Sequence, residues 1–132
     1  MLYLDTNILV YASINQDERK RENSINIIEK AVKNTTLTLS TLTLQEYIFT
    51  LSKLKVDRNI INHDIQFYSK FATISYDLDI LLKSMDVCKK MDSCKSINDI
   101  IHLELAKTLD AKLYTYDKGF NKFKNLYDIK IL

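Results

Sequence analysis

Asp5, Glu46, Asp99 and Asp117 stand where apolar segments end or helices begin. Their local strings are Leu4-Asp5-Thr6-Asn7, Leu44-Gln45-Glu46-Tyr47, Asn98-Asp99-Ile100-Ile101 and Thr115-Tyr116-Asp117-Lys118. A carboxylate held near a core is costly unless a cation neutralises it. Brought together, these four would form a hard-cation site, because Mg²⁺ takes oxygen ligands only and keeps several waters. One or two such ions polarise a phosphoryl oxygen and generate a hydroxide-like nucleophile; in two-metal sites they lie roughly 3.5–4 Å apart. The chemistry so indicated is phosphoester hydrolysis by metal-activated water. Little else is on offer. There are two histidines, His63 and His102, too few for a His-based mechanism. Gly119 is the one glycine and proline is absent, so a glycine-rich phosphate loop or dinucleotide fingerprint is ruled out.

The chain has 132 residues, the size of one domain, read as spanning 1–132. Hydrophobic residues make up 46%, enough for a core. A net charge of +2, with 19 Lys and Arg, permits a nucleic-acid partner without requiring one. No apolar run approaches the ~20 residues of a membrane span. No basic stretch leads into an apolar one at the N-terminus, so the expected location is cytoplasmic. In that setting Cys88 and Cys94 read as buried thiols, with a disulfide left open. A zinc site would need more ligands than they and the histidines supply.

The elements that must position the acids follow from pattern. Met1–Leu4, Thr36–Ser40, Phe71–Ile74, Lys112–Thr115 and Ile129–Leu132 read as strands. Thr6 or Asn7 would cap a helix over Ile8–Ala12. Asn15–Asn23 reads as a solvated loop running into a helix that carries Ile25, Ile28 and Val32. Thr41 or Thr43 would cap the next, with Leu44, Tyr47, Ile48, Leu51 and Leu54 on one stripe. Glu46 shares a different face with Leu42 and Phe49, which predicts a half-buried carboxylate. Asp57 or Asn59 opens a helix with Ile60, Ile61 and Ile65 inward. Asp77–Met91 is helical with Leu78, Leu81, Leu82, Met85 and Cys88 as its apolar face. Ser96 would cap Ile97–Leu109, which is apolar almost all round and so central. Strands separated by helices imply right-handed crossovers and a mainly parallel sheet of about five strands, a three-layer α/β domain. Sites in such sheets form at the carboxyl ends of strands, and chain order places all four acids on that rim.

Together these pieces resemble a PIN domain, in particular the VapC toxin nuclease of VapBC toxin–antitoxin pairs. The matching residues are Leu4-Asp5-Thr6-Asn7, Glu46, Asn98 through Ala106, and Leu113 through Phe120, in the family's order and approximate spacing. The resemblance covers essentially the whole chain. It implies a Mg²⁺- or Mn²⁺-dependent endoribonuclease with Asp5 and Asp99 as direct metal ligands. Glu46 and Asp117 would complete the cluster directly or through water, with Thr6, Asn7 and Thr115 orienting it. It also implies a homodimer and a tight complex with an antitoxin that covers the active site.

Each acid has a structural alternative. Asp99 can serve the helix dipole, Glu46 can be a surface residue, and Asp117 with Lys118-Gly119 makes a turn. Glu104 lies about 140° around its helix from Asp99 and is left out. His102 reads as a packing or surface residue. Arg19-Lys20-Arg21 is the densest basic run, and Lys118, Lys122 and Lys124 follow Asp117; either group can hold an RNA backbone, with a solvated face as the default. Competing functions are a non-toxin PIN nuclease in RNA processing, a phosphatase of the haloacid dehalogenase type, and a non-catalytic binding module. The phosphatase needs a second Asp at position 7, where this chain has Asn.

Overall fold

A computed structural model describes residues 1–132. The strands are β1 (Leu2–Leu4), β2 (Leu37–Ser40), β3 (Ala72–Ile74), β4 (Lys112–Thr115) and β5 (Ile129–Ile131). The helices are α1 (Thr6–Ser13), α2 (Glu18–Lys33), α3 (Thr41–Lys53), α4 (Arg58–Tyr68), α5 (Leu78–Cys88) and α6 (Ile97–Thr108). All strand pairs are parallel, in the order β3-β2-β1-β4-β5. The chain winds outward from β1 through β2 to β3, then resumes on the other side of β1 with β4 and β5. The β1/β4 boundary is therefore the switch point of the winding, where open parallel sheets form their crevice.

Alternation along a strand sends successive side chains to opposite faces. Tyr3 packs into a core with Ile80, Cys88, Ile100, Leu103 and Phe120, on the α5/α6 face. Leu4 packs into a second core with Ile8, Ile28, Tyr47, Leu51 and Ile61, on the face covered by α1 to α4. The three layers and five strands expected from the pattern are present, and the sheet is parallel throughout.

Several local expectations need correction. α2 begins at Glu18, inside the stretch read as a loop, because Asp17 caps it by accepting from the backbone N–H of Lys20 at 3.1 Å. Its polar first turns are a solvated helix face. α1 is capped at Asp5 without a side-chain bond, which leaves Thr6 and Asn7 inside the first turn. α3 is capped by Ser40, and Ser96 precedes α6 without capping it by its side chain. Ile48, Leu54 and Ile60 are exposed. On α5 the buried stripe is Ile80-Ser84-Cys88, at i, i+4, i+8, while Leu78, Leu81, Leu82 and Met85 face outward. The small Ser84 lets α5 lie close on α6, satisfying its hydroxyl on the Ile80 carbonyl at 2.8 Å. Cys88 and Cys94 form a disulfide, Cα atoms 5.2 Å apart, and are not free thiols.

With so little glycine, three helices end on other residues at positive φ: Thr35 (53°), Lys55 (61°) and Asp110 (50°). Each makes both bonds of a Schellman motif. Thr36 N–H reaches Ala31 O and Thr35 N–H reaches Val32 O, with equivalent pairs after α3 and α6.

Candidate active site

Asp5 leaves β1 at the switch point. Its own N–H bonds to Tyr114 O across the β1/β4 boundary at 3.0 Å. Its Oδ2 accepts from Thr115 Oγ1 at 2.6 Å and Asn7 Nδ2 at 3.1 Å. The buried Thr115 hydroxyl also accepts from the backbone N–H of Asp117 at 2.9 Å and from Asn7 Nδ2 at 3.2 Å. One hydroxyl thus joins the acid after β1 to the acid after β4. Thr6 Oγ1 donates to Glu46 Oε1 at 3.4 Å. Asp117 makes the turn suspected of it, its Oδ1 accepting from Gly119 N–H at 2.8 Å. That role does not remove it from the rim.

Asp5, Glu46, Asp99 and Asp117 line one open cavity of about 330 Å³, together with Thr6, Asn7, Tyr11, Gln16 and Thr50. No Lys or Arg lines it. The electrostatic consequence is visible on two of the acids. Burial raises the proton affinity of Asp5, against the lowering effect of the Thr115 bond. Asp99 is pushed up to about 6 by burial first, then by the charges of Asp5 and Asp117. The N-terminus of α6 should favour a charged Asp99; burial and like charges outweigh it.

Glu46 is anchored from inside the protein. Its Oε1 contacts Nε2 of His102, which is buried in α6. His102 Nδ1 lies 2.7 Å from the Tyr3 hydroxyl, which meets Ser40 Oγ at 2.6 Å and Thr43 Oγ1 at 3.2 Å. A carboxylate can only accept, so Nε2 carries the hydrogen, and neutral imidazole then accepts at Nδ1 from Tyr3. Ser40 and Thr43 in turn donate to the Tyr3 oxygen. Each of these five side chains has a partner, and the bonds run in one direction, from β2 and α3 through Tyr3 and His102 to Glu46. Sequence reasoning missed this, reading His102 as packing or surface. A histidine one turn after Asp99 on an otherwise apolar helix was the available signal, since a buried imidazole must find partners.

The donor set is all oxygen and mutually repelling, which suits a hard cation. No three carboxylate, imidazole or thiol groups converge into a ready-made cage.

A five-stranded parallel sheet with an acid rim at its switch point defines a three-layer α/β fold with its crevice at the carboxyl ends of the strands. The PIN domain family model matches residues 2–126, and the chain belongs to that family. No curated protein matches it. A similar solved structure is that of VapBC2 from Rickettsia felis bound to a DNA fragment from their promoter. It is 22% identical, covers 100% of this chain and 99% of its own, and superposes with a TM-score of 0.72. PIN domains are nucleases, so membership makes the chain one of a nuclease family, and no helix is long and apolar enough to cross a membrane.

Proposed function

We propose that this chain, as one nuclease unit over 1–132, is a metal-dependent endoribonuclease and the toxin of a toxin–antitoxin pair. The observation that carries the reading is the Asp5–Asp99 pair, half-buried carboxylates on one cavity whose proton affinities are both raised by burial, with the charge of Asp5 adding to the rise on Asp99 and no Lys or Arg on the cavity wall. Asp5 and Asp99 would hold Mg²⁺ or Mn²⁺ directly, with Glu46 and Asp117 binding directly or through water. The ion, when bound, supplies Lewis acidity and lowers the pKa of a coordinated water. The protein's part is positional. Thr115 and Asn7 fix the Asp5 carboxylate, Thr6 and His102 fix Glu46, and the Asp117 turn keeps that acid at the mouth.

Toxin function, an antitoxin partner and a cytoplasmic location are supported by family membership and the likeness to VapBC2. A homodimer is supported by the outward apolar face of Leu78, Leu82 and Met85. The test is cleavage of a panel of tRNA, rRNA and mRNA with Mg²⁺ or Mn²⁺ and an EDTA control. Asp5→Asn and Asp99→Asn should abolish cleavage in folded protein. Retained cleavage in either variant would sink the assignment.

A further inference from the structure

The acid cavity has no cation in its walls, yet the substrate proposed for it is a polyanion. The structure holds one beside it. Lys20, in the first turn of α2, is half-buried and forms no ion pair with any carboxylate. Its ammonium lies 4.9 Å from the centre of the Tyr11 ring and 5.4 Å from that of Tyr116. It also stands 3.5 Å from the Tyr11 hydroxyl. The two rings meet edge to face with centroids 5.2 Å apart. Tyr116 is fixed at its hydroxyl by Asn23 Nδ2 at 2.9 Å, Ser24 Oγ at 3.1 Å and the Lys20 carbonyl at 3.2 Å.

Both tyrosines belong to the acid site's own framework. Tyr11 lines the acid cavity, and Tyr116 stands between Thr115 and Asp117 with its N–H on Asn7 Oδ1 at 3.4 Å. A second cavity of about 450 Å³ is lined by Arg19, Lys20, Asn23, Tyr116 and Leu132. The contacting pair of rings, Tyr11 on the anionic cavity and Tyr116 on the cationic one, therefore links the two. Arg21 from the same basic run is turned to Glu18 at 4.0 Å, so the run is not one uniform solvated face.

We propose that Lys20, with Arg19, binds a backbone phosphate of the RNA strand flanking the one at the acids. The proposal rests on the ribonuclease reading and gives it a strand path: across the acid cavity, over Tyr11, into the Arg19–Lys20 cleft. The cation–π contacts hold the ammonium in place in the free protein. Little side-chain freedom is then lost when a phosphate arrives, and a phosphate offers the countercharge that Lys20 lacks.

The experiment is fluorescence anisotropy of a labelled single-stranded oligoribonucleotide of mixed sequence, in EDTA to prevent cleavage, across a range of salt. Wild type is compared with Lys20→Ala, Lys20→Arg and the distant Lys33→Ala. Lys20→Ala should weaken binding about fivefold to tenfold at low salt and make the slope of log Kd against log salt shallower by about 0.7, one phosphate's worth on a single strand. Lys20→Arg should restore the slope, and Lys33→Ala should leave it alone. Thermal melts and Mg²⁺ titration should match wild type in all three. An unchanged slope in Lys20→Ala overturns the subsite, leaving the cluster to a protein partner and the nuclease reading intact. If wild type neither binds nor cleaves RNA, both fall together.

Discussion

His102 holds Glu46 through a hydrogen bond that starts two side chains deeper, at the buried hydroxyl of Tyr3. The acid at the rim is thus oriented from the opposite core, because Tyr3 and His102 belong to the α5/α6 side of the sheet while α3 lies on the other. This relationship can be tested apart from the acids themselves.

Replacing His102 by Leu removes the donor while keeping apolar volume. RNA cleavage and apparent Mg²⁺ affinity should each fall roughly 10–100-fold, the usual effect of losing a residue that orients a metal ligand. His102→Gln retains an amide donor near the Nε2 position and should recover most of the loss. Tyr3→Phe leaves Nδ1 without its donor and frees the tautomer, so it should sit between the two. Kinetics over a Mg²⁺ series, beside melts showing comparable folding, give the answer; equal activity in His102→Leu would make the histidine a packing residue only.

Asp99→Asn should stabilise the metal-free protein. The native Asp99 pKa is raised from 3.8 to about 6, so the folded state disfavours the charge. Below about pH 4 both states are protonated and nothing is lost. Between pH 4 and 6 the folded state binds more protons than the unfolded, and stability falls as pH rises. Above about 6 the loss is complete. The variant should therefore melt a few degrees above wild type at pH 7.5, on the order of 1–2 kcal/mol after solvent screening, and equal it near pH 3.5. Added Mg²⁺ should raise the wild-type Tm and leave the variant nearly unmoved.

How much of this was legible in the chain depends on what each residue answers to. The five strands follow from short β-branched or apolar runs between helices, and the acid rim follows from strand order. Leu78, Leu81, Leu82 and Met85 satisfied helical periodicity, but the stripe that packs is narrower and carries Ser84, since α6 selects the closest-fitting face over the most apolar one. The Tyr3–His102–Glu46 chain joins residues up to 99 positions apart; local pattern can mark His102 as needing partners but cannot name them. The Cys88–Cys94 pairing was open from spacing alone.

Reducing that disulfide should lower stability by about 2 kcal/mol, the chain-entropy value for so short a loop. Cys94→Ser, where the exposed partner is removed, should reproduce the drop in oxidising buffer and show no further change with dithiothreitol. Denaturant melts with and without reductant decide it; a reductant effect that persists in the variant would contradict the assignment.

The left-handed helix ends offer the opposite kind of change. A non-glycine residue in this conformation costs roughly 1–2 kcal/mol, partly offset in the unfolded chain when glycine replaces it. Thr35→Gly should gain most, about 1 kcal/mol, because a β-branched residue tolerates positive φ least. Lys55→Gly should gain about half as much. Asp110→Gly should gain little, since Asp adopts this region more readily. Chemical denaturation of the three variants should give that order.

Thr115 binding both Asp5 and the backbone of Asp117 has a consequence for synthesis of the protein. Asp5 is made 110 residues before Thr115, and its carboxylate gains its hydroxyl partner only when β4 pairs beside β1. Glu46 likewise waits for α6 to bring His102. A nascent chain, or a fragment that stops short of β4, carries Asp5, Glu46 and Asp99 but neither Thr115 nor Asp117. The cell making this protein meets its cluster of charges only as a finished fold.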